Sequence, residues 1–278
     1  MSDTPFEANV PMFWRDEALP FIEARWVRDG REVCYGKHWH EVFSIGLICR
    51  GRCKYTNRGK TTAASVGTVV LMNPGDVHAC NPVHGEPWAY KMLYIDVSRL
   101  CATRDAPDTD ASRCFAPLSA ISTTQPELSA GLSRLFDTLI NPSTELLEKQ
   151  TACVCFVELI QRCLGTTRST HPARDFRLAR AADFIRENCT RSLSLEDICG
   201  EVSLSASHLI RAFRQAYGLT PHAYQLNCRI ELCRSRLRAG HTIAEVALAA
   251  GFADQAHFQR VFKKLVAATP GQYRRRLS

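Results

Sequence analysis

The stretch DQAHFQRVFKK, from Asp254 to Lys264, has the spacing of a helix with two different faces. Phe258 and Phe262 are four residues apart and share one side of such a helix, while Gln255 and Gln259 share another. Basic side chains accompany the two glutamines, namely Arg260, Lys263 and Lys264. The pattern predicts a helix that is anchored by its phenyl rings and offers amide and guanidinium groups to a partner.

This pattern belongs to an internal repeat in the last third of the chain. HLIRAFRQAYGLTPHAY (208–224) aligns with HFQRVFKKLVAATPGQY (257–273), and the pairs in register include Arg211 with Arg260. Each copy follows a short helical unit, and a small polar residue, Ser205 or Asp254, precedes it where it can cap the second helix. A helix, a tight turn and a second helix form a helix-turn-helix, which this sequence contains twice.

A connecting helix and a basic charge accompany the two units. Apolar residues at helical spacing from Leu226 to Leu237 predict a rigid helix between the repeats. Residues 168–278 contain 18 Lys and Arg against 9 Asp and Glu, whereas residues 1–167 contain 17 against 19. The basic third lacks the broad apolar face of a membrane-surface helix, so we expect double-stranded DNA as its polyanionic partner and no membrane.

The motif AxxxGFxDQxHFxRxFKKxxxxTPxxYR, from Ala247 to Arg274, resembles the signature of the AraC/XylS family of bacterial transcription regulators. The resemblance covers roughly residues 177–276. It departs from the family at Ala267, where glycine is usual and where the first repeat has Gly218. Glycine there ends a helix in a left-handed cap, so the sequence leaves the geometry of this turn open.

The two second helices are predicted to bind DNA. A major groove admits an α-helix, Arg pairs with guanine and Gln with adenine, so Gln255, Gln259 and Arg260 are suited to read base edges. The resemblance places Ser207 and Arg211 in the first recognition helix and implies binding to successive major grooves, about 34 Å apart. The basic tail 274–276 is suited to phosphates. The predicted DNA-binding residues are Ser205, Ser207, Arg211, Arg214, Asp254, Gln255, Gln259, Arg260, Lys263 and Lys264.

The preceding part of the chain has a different periodicity. From about residue 32 to 96, β-branched and aromatic runs alternate with turns, as in HEVFSIGLICRGRCKYTNRGK (40–60), which predicts a small antiparallel barrel or sandwich. Residues 126–164 have the spacing of a helical hairpin. We therefore predict an α+β protein with three segments: a ligand-binding and dimerisation domain 1–165, a Gly/Ser/Thr/Pro-containing linker 166–175 and a double helix-turn-helix domain 176–278.

HWH (38–40) followed by GTVVLMNPGDVH (67–78) resembles the cupin-like β-barrel that often precedes this DNA-binding unit. The resemblance implies that His38, His40 and His78 lie together. In metal-dependent cupins such histidines bind a divalent metal with a nearby glutamate, but Glu41 directly follows His40 and points to the opposite side of a strand.

Three roles for these histidines remain open. They can hold Zn, Fe or Ni with water at an open position, act as hydrogen-bonding groups in a metal-free effector pocket, or be purely structural. We expect the metal-free pocket and therefore no cofactor, with a divalent metal as the alternative. The predicted ligand-binding residues are His38, His40, His78, Trp88 and Tyr90, with His84 as a further candidate at the same mouth.

These features favour a ligand-responsive, sequence-specific transcription regulator that is not an enzyme. A metal-dependent cupin enzyme with a DNA-binding tail is the alternative. A DNA-repair alkyl acceptor would need a zinc cluster, which the spacing of Cys34, Cys49, Cys53 and Cys80 does not supply. The resemblance implies a homodimer through the helical hairpin, whose apolar stripe is equally compatible with a cover for the barrel. RNA polymerase is a further candidate partner.

The same sequence predicts a cytoplasmic location. The first twenty residues do not form the apolar core of a signal peptide, and no later run approaches the length of a membrane-spanning helix. Thirteen cysteines, an odd number, are expected to be reduced thiols, mostly buried as small apolar residues.

Overall fold

Two antiparallel sheets precede a wholly helical half in the computed structural model, which describes residues 10–83, 86–102, 116–165 and 175–275. The strands in these ranges are β1 (Met12–Arg15), β2 (Ile22–Val27), β3 (Phe43–Arg50), β4 (Arg52–Asn57), β5 (Lys60–Ser65), β6 (Val69–Met72), β7 (His78–Pro82), β8 (Ala89–Ile95) and β9 (Ser122–Thr123). The larger sheet has the order β1-β2-β8-β3-β6-β9, and the smaller has the order β5-β4-β7. The described strands therefore form the predicted N-terminal β domain.

One helix of the described chain lies between β8 and β9, and the other helices follow β9. The helices are α1 (Val97–Ala102), α2 (Pro126–Ile140), α3 (Leu146–Leu164), α4 (Phe176–Glu187), α5 (Leu195–Val202), α6 (Ala206–Tyr217), α7 (Pro221–Arg238), α8 (Ile243–Ala249), α9 (Gln255–Val266) and α10 (Pro270–Arg274). The predicted linker falls almost wholly in residues 166–174, which lie outside the described residues. None of the described helices is long and apolar enough to cross a membrane.

The two faces of the larger sheet have different partners because side chains alternate along each strand. On the outer face, Ala24, Leu93 and Ile45 are neighbours across β2, β8 and β3, and they are buried with the apolar stripes of α2 and α3. On the inner face, Tyr90 packs with Tyr55 of the smaller sheet. The stripe of the helical hairpin is thus used to cover the barrel.

The prediction that the strands begin near residue 32 was wrong, since β1 and β2 lie before it. Their inner face carries Phe13, Arg15, Glu23 and Arg25, whose partners are in the helical half of the chain. Charged residues at inward positions hide the apolar alternation by which a half-buried strand is recognised. Burial against another domain therefore explains why the sequence pattern failed here.

Both helix-turn-helix units are present and are joined by α7. The first comprises α5 and α6 with α4 packed against them, and the second comprises α8 and α9. Asp254 caps α9 by accepting a hydrogen bond from the backbone N–H of His257 at 2.6 Å. Ser205 occupies the equivalent position of α6 without a side-chain hydrogen bond to the helix. The repeat in the sequence is therefore a repeat in the structure.

Helix α9 ends at Ala267 in a left-handed conformation, with φ 52° and ψ 27°. This conformation costs a residue with a Cβ about 1–2 kcal/mol, whereas glycine adopts it freely. Gly218, at the matching end of α6, has φ 71°. The turn thus keeps its geometry although alanine replaces the usual glycine.

Substitution Ala267→Gly is expected to raise the free energy of unfolding by about 1 kcal/mol, because it removes this strain. Urea denaturation of the full chain measures the change. Ala239→Gly is the control, since Ala239 is exposed and has a right-handed φ of −74°. If Ala267→Gly lowers the free energy of unfolding as much as Ala239→Gly does, Ala267 is not strained.

Candidate DNA-binding surface and effector cavity

Helices α6 and α9 have the arrangement expected of paired recognition helices. Leu209 and Phe213 bury one side of α6, and Phe258 and Phe262 bury the same side of α9. All the predicted DNA-binding side chains are exposed, namely Ser205, Ser207, Arg211, Arg214, Asp254, Gln255, Gln259, Arg260, Lys263 and Lys264. Three of them, Arg260, Lys263 and Lys264, line a groove whose other wall includes Glu32, Val33 and Cys34 of the N-terminal half.

The two helix-turn-helix units are held together by one buried guanidinium. Arg229 of α7 donates from Nε to the carbonyl of Cys189 at 2.6 Å, and from Nη2 to that of Arg191 at 2.8 Å. Its Nη1 donates to the carbonyl of Gly251 in the second unit at 2.7 Å. A Cβ on Gly251 would lie 1.9 Å from the carbonyl oxygen of Thr190. Backbone contact and a shared arginine therefore fix the separation of the two recognition helices.

Sequence analysis missed this role of Arg229. Its partners are backbone carbonyls, which every residue has. The side chains of Cys189, Arg191 and Gly251 therefore do not predict the contact. The glycine is the one detectable signal, because a residue with a Cβ cannot come so close to another backbone.

A cavity lies between the two sheets of the N-terminal domain. Its volume is about 30 Å³, which is room for about two water molecules. The predicted ligand-binding residues His38, His40, His78, Trp88 and Tyr90 all line it, while His84 lies outside the described residues. Most of the other lining groups are aromatic or aliphatic side chains or sulfur-containing residues: Tyr35, Ile48, Tyr55, Val70, Met72, Cys80, Met92 and Tyr94.

The three histidines form a buried cluster at one end of this cavity, with candidate ligand atoms within 4.8 Å of one another. Nδ1 of His38 lies 2.8 Å from the carbonyl of Gly36, and Nδ1 of His78 lies 2.9 Å from that of Asp76. Both nitrogens must therefore carry the hydrogen, which leaves a lone pair on each Nε2.

His40 has the opposite arrangement. Nη1 of Arg234 donates to Nδ1 of His40 at 2.9 Å, so the hydrogen of this imidazole is on Nε2. Burial lowers the pKa of all three histidines, and that of His78 falls to about 4. At neutral pH the cluster consequently consists of uncharged imidazoles that present two hydrogen-bond acceptors and one donor.

This donor set does not fit a three-histidine metal centre in the conformation described. Such a centre needs a lone pair from every imidazole, and His40 offers an N–H because Arg234 occupies its other nitrogen. Glu41 is exposed and does not join the cluster. Among the described residues, Cys34 and Cys49 likewise form no metal-binding group with the adjacent Cys53 and Cys80. The histidines act here as hydrogen-bonding groups.

The cluster touches the DNA-binding half through Arg234 of α7, which is 4% exposed. This guanidinium also donates to Glu231 at 2.9 Å and lies 3.5 Å from Glu23 of β2. The hydroxyl of Tyr273 donates to Glu23 at 3.0 Å. Burial opposes the charge of Glu23, but Arg15 and Arg234 lower its pKa to about 2. A buried ionic network thus joins β2 to α7 and α10.

Two further contacts join the halves through backbone groups. The side chain of Asn227 accepts from the backbone N–H of Trp39 and donates to its carbonyl, both at 3.1 Å. The N–H of Gly36 donates to the carbonyl of Lys264 at 2.8 Å. A Cβ on Gly36 would lie 3.2 Å from Cγ of Lys264, so glycine allows this close approach. The amides of Gly36 and Trp39 are therefore bonded to the other domain and report on its docking.

Comparisons with protein families match both halves of the chain. The AraC-like ligand binding domain matches residues 27–152, and a helix-turn-helix domain matches residues 198–276. The arabinose operon regulatory protein of Escherichia coli is 27% identical over 248 residues, which is 84% of this chain and 80% of that protein. An uncharacterised helix-turn-helix regulator of Bacillus subtilis, YbfI, is 26% identical over 225 residues, 80% of this chain and 81% of its own length.

Solved structures show a similar fold over the whole length. A variant of ToxT from Vibrio cholerae, in its apo form, has a TM-score of 0.55 and 15% identity, covering 95% of both chains. ToxT with a bound unsaturated fatty acid has a TM-score of 0.53 and 17% identity, covering 95% of this chain and 93% of that one. At this identity the likeness shows the fold, an N-terminal antiparallel β domain followed by a helical domain with helix-turn-helix units.

Substitution Asn227→Ala is expected to loosen the docking of the two halves. It removes two buried hydrogen bonds, worth about 1–3 kcal/mol together, so the amides of Gly36 and Trp39 should exchange about ten- to a hundredfold faster. Hydrogen exchange resolved to single residues measures this change. Ser235→Ala, on the exposed side of the same helix, is the control. Equal exchange in both variants would contradict the role of Asn227.

Proposed function

The chain belongs to the AraC family of ligand-responsive transcription regulators, and we propose that it reads DNA with α6 and α9 while the cavity between its sheets senses a small molecule. Arg211 and Arg260, at matched exposed positions of the two units, would contact bases or phosphates, with Gln255 and Gln259 on adenine edges. Arg214, Lys263 and Lys264 would contact phosphates and set the register. Arg229 would hold the two units at a fixed separation, which binding to two successive major grooves requires.

One observation supports the coupling of ligand to DNA above all others. His40 lines the cavity and is also bonded to Arg234, a residue of the helix that connects the two DNA-binding units. A molecule that hydrogen-bonds to His40 from inside the barrel would either weaken or strengthen the hydrogen bond between His40 and Arg234. This bond is one of the contacts that hold the DNA-binding domain against the N-terminal domain. A ligand can act in this way only if it binds the docked and undocked states with different affinity.

The size of the cavity strengthens this proposal. Small-molecule sites usually have volumes of roughly 300–1,000 Å³, far more than the space for about two waters found here. An organic effector must therefore displace lining side chains, and His38, His40 and Tyr94 are the ones that also face the DNA-binding domain. Entry of the effector would then alter the domain contact directly.

Several finer properties are part of the same proposal. The relatives are transcription regulators, and the histidine cluster lacks a complete metal donor set, so we infer a regulator without enzymatic activity or a resident metal. A homodimer would double the DNA footprint and raise the effective concentration at paired sites. RNA polymerase is a candidate partner at promoters. Since its target is chromosomal DNA, the protein would act in the cytoplasm.

Selection from genomic DNA tests the regulator function. The full-length protein is mixed with sheared DNA from its source organism at near-physiological salt, and the retained fragments are sequenced. We expect a small number of intergenic sites with two half-motifs one helical turn apart. Uniform recovery of all fragments, with or without candidate effectors, would contradict sequence-specific regulation.

Substitution Arg260→Ala is expected to weaken binding to a selected site by about 1–3 kcal/mol and to relax the preference at one base position. Lys263→Ala is the matched control on the same helix: it should weaken binding to all sequences alike and lower the salt slope by about one. Fluorescence anisotropy with specific and random duplexes at several salt concentrations separates the two. An equal loss on both duplexes for Arg260→Ala would exclude base reading by this residue.

A further inference from the structure

Arg25 is a buried charge whose hydrogen-bonding capacity is only partly used. It lies on the inner face of β2 and is 2% exposed. Its Nη1 donates to the carbonyl of Val266, at the end of α9, at 2.8 Å. Nε and Nη2 are buried and make no hydrogen bond of good geometry with the described residues, and the one polar side chain that comes close to them is the hydroxyl of Tyr94, which carries no charge. These two N–H groups form the side of a guanidinium that binds a carboxylate with two parallel hydrogen bonds.

No carboxylate of the described residues forms an ion pair with Arg25. The nearest acid along the same strand face, Glu23, is occupied by Arg15, Arg234 and Tyr273. Arg25 instead lies against aromatic rings, 5.2 Å from Phe13, 5.2 Å from Tyr35 and 5.9 Å from Tyr90. Ring contacts offset part of the cost of a buried cation, but they give Nε and Nη2 no hydrogen-bond acceptor of good geometry. The site thus has a positive charge without an anion.

The surroundings indicate what kind of anion would fit. Tyr35 and Tyr90 contact the guanidinium on one side and line the barrel cavity on the other, where their hydroxyls are hydrogen-bonded to each other. A second small cavity, lined by Arg25, His38, His40 and Tyr94, adjoins the first across the two histidines and Tyr94. An acidic head at Arg25 would therefore continue into space lined mainly by aromatic side chains, methionine and aliphatic groups.

We propose that Arg25 binds the carboxylate of an organic acid effector, whose apolar body occupies the space between the two sheets. Nε and Nη2 would donate to the two carboxylate oxygens, and the apolar body would displace cavity-lining side chains. Because Nη1 of the same guanidinium holds the carbonyl of Val266, the effector would act on the end of the second recognition helix through one residue. This inference rests on the proposed function, since it specifies the chemistry of the effector.

Acids and their amides distinguish this site from a merely apolar pocket. Hexanoate, octanoate, benzoate and phenylacetate are titrated into the full-length protein by calorimetry, each beside its primary amide, which has nearly the same shape without the charge. At least one acid should bind about tenfold or more tightly than its amide, because a charge-assisted bidentate pair replaces a neutral contact. If no acid binds more tightly than its amide, the assignment of a carboxylate is wrong.

Three variants locate the site. Arg25→Gln should lose the preference for the acid over its amide. Arg25→Lys should keep only part of this preference, because lysine has the positive charge but not the two parallel N–H donors of a guanidinium. Arg28→Gln is the control, because Arg28 is an exposed arginine just after the same strand. Hydrogen exchange of the Ile45 amide, inside the sheet, verifies that each variant is folded. Acid binding that is unchanged in folded Arg25→Gln would overturn the proposal.

The same experiment separates this inference from the regulator function. A neutral compound could bind the wild type and Arg25→Gln alike and change the affinity for the selected genomic sites. The protein would then be an effector-responsive regulator, but its effector would not be a carboxylate bound by Arg25. Failure to select any genomic site would contradict the regulator function, while the preference for acids over amides is measured without DNA.

Discussion

The contact between Arg234 and His40 is the interaction on which the rest of the structure depends. Arg234 is buried between a histidine of the cavity between the sheets, a glutamate of β2 and a tyrosine that follows α9. Removing one member of such a network leaves the others buried without a partner, which is much more costly than exposing them together. The network is therefore stable when complete and sensitive to a change at any one member, as a contact that relays a signal needs to be.

The two domains differ in how their parts are held. Inside the DNA-binding domain, Arg229 and the contact of Gly251 with Thr190 fix one helix-turn-helix unit against the other through the backbone. Between the domains, polar side chains such as Asn227 and Arg234 make hydrogen bonds, and Phe13 and Trp39 of the N-terminal domain are buried in apolar clusters of the helical half. The two recognition helices are thus joined to each other through backbone groups and to the N-terminal domain through side chains.

Sequence analysis predicted the architecture well where the spacing of residues is compatible with only one kind of secondary structure. The repeat, the two phenylalanine pairs and the helical hairpin each follow from spacing alone, and the HWH and PGDVH motifs identified residues that line the cavity. It failed at β1 and β2 because their inward residues are charged. Arg15, Arg25 and Arg229 each donate to a backbone carbonyl that is remote in the chain, and the type of residue does not reveal such an acceptor. The hydrogen bond from Arg234 to Nδ1 of His40, which leaves an N–H on Nε2, likewise joins residues that are remote in the chain.

The end of α9 and the segment after it meet the N-terminal domain through backbone carbonyls as well as through side chains such as Leu265. The carbonyls of Lys264 and Val266 accept hydrogen bonds from Gly36 and Arg25, and the carbonyl of Tyr273 accepts one from Arg15. These acceptors are the same for any amino acid, so they place few demands on side-chain identity. Gln255 and Gln259, on the exposed side near the start of α9, make none of these contacts. Substitutions there would change what the helix binds and leave its contact with the N-terminal domain unaltered, whereas the Lys264 side chain lies against Gly36.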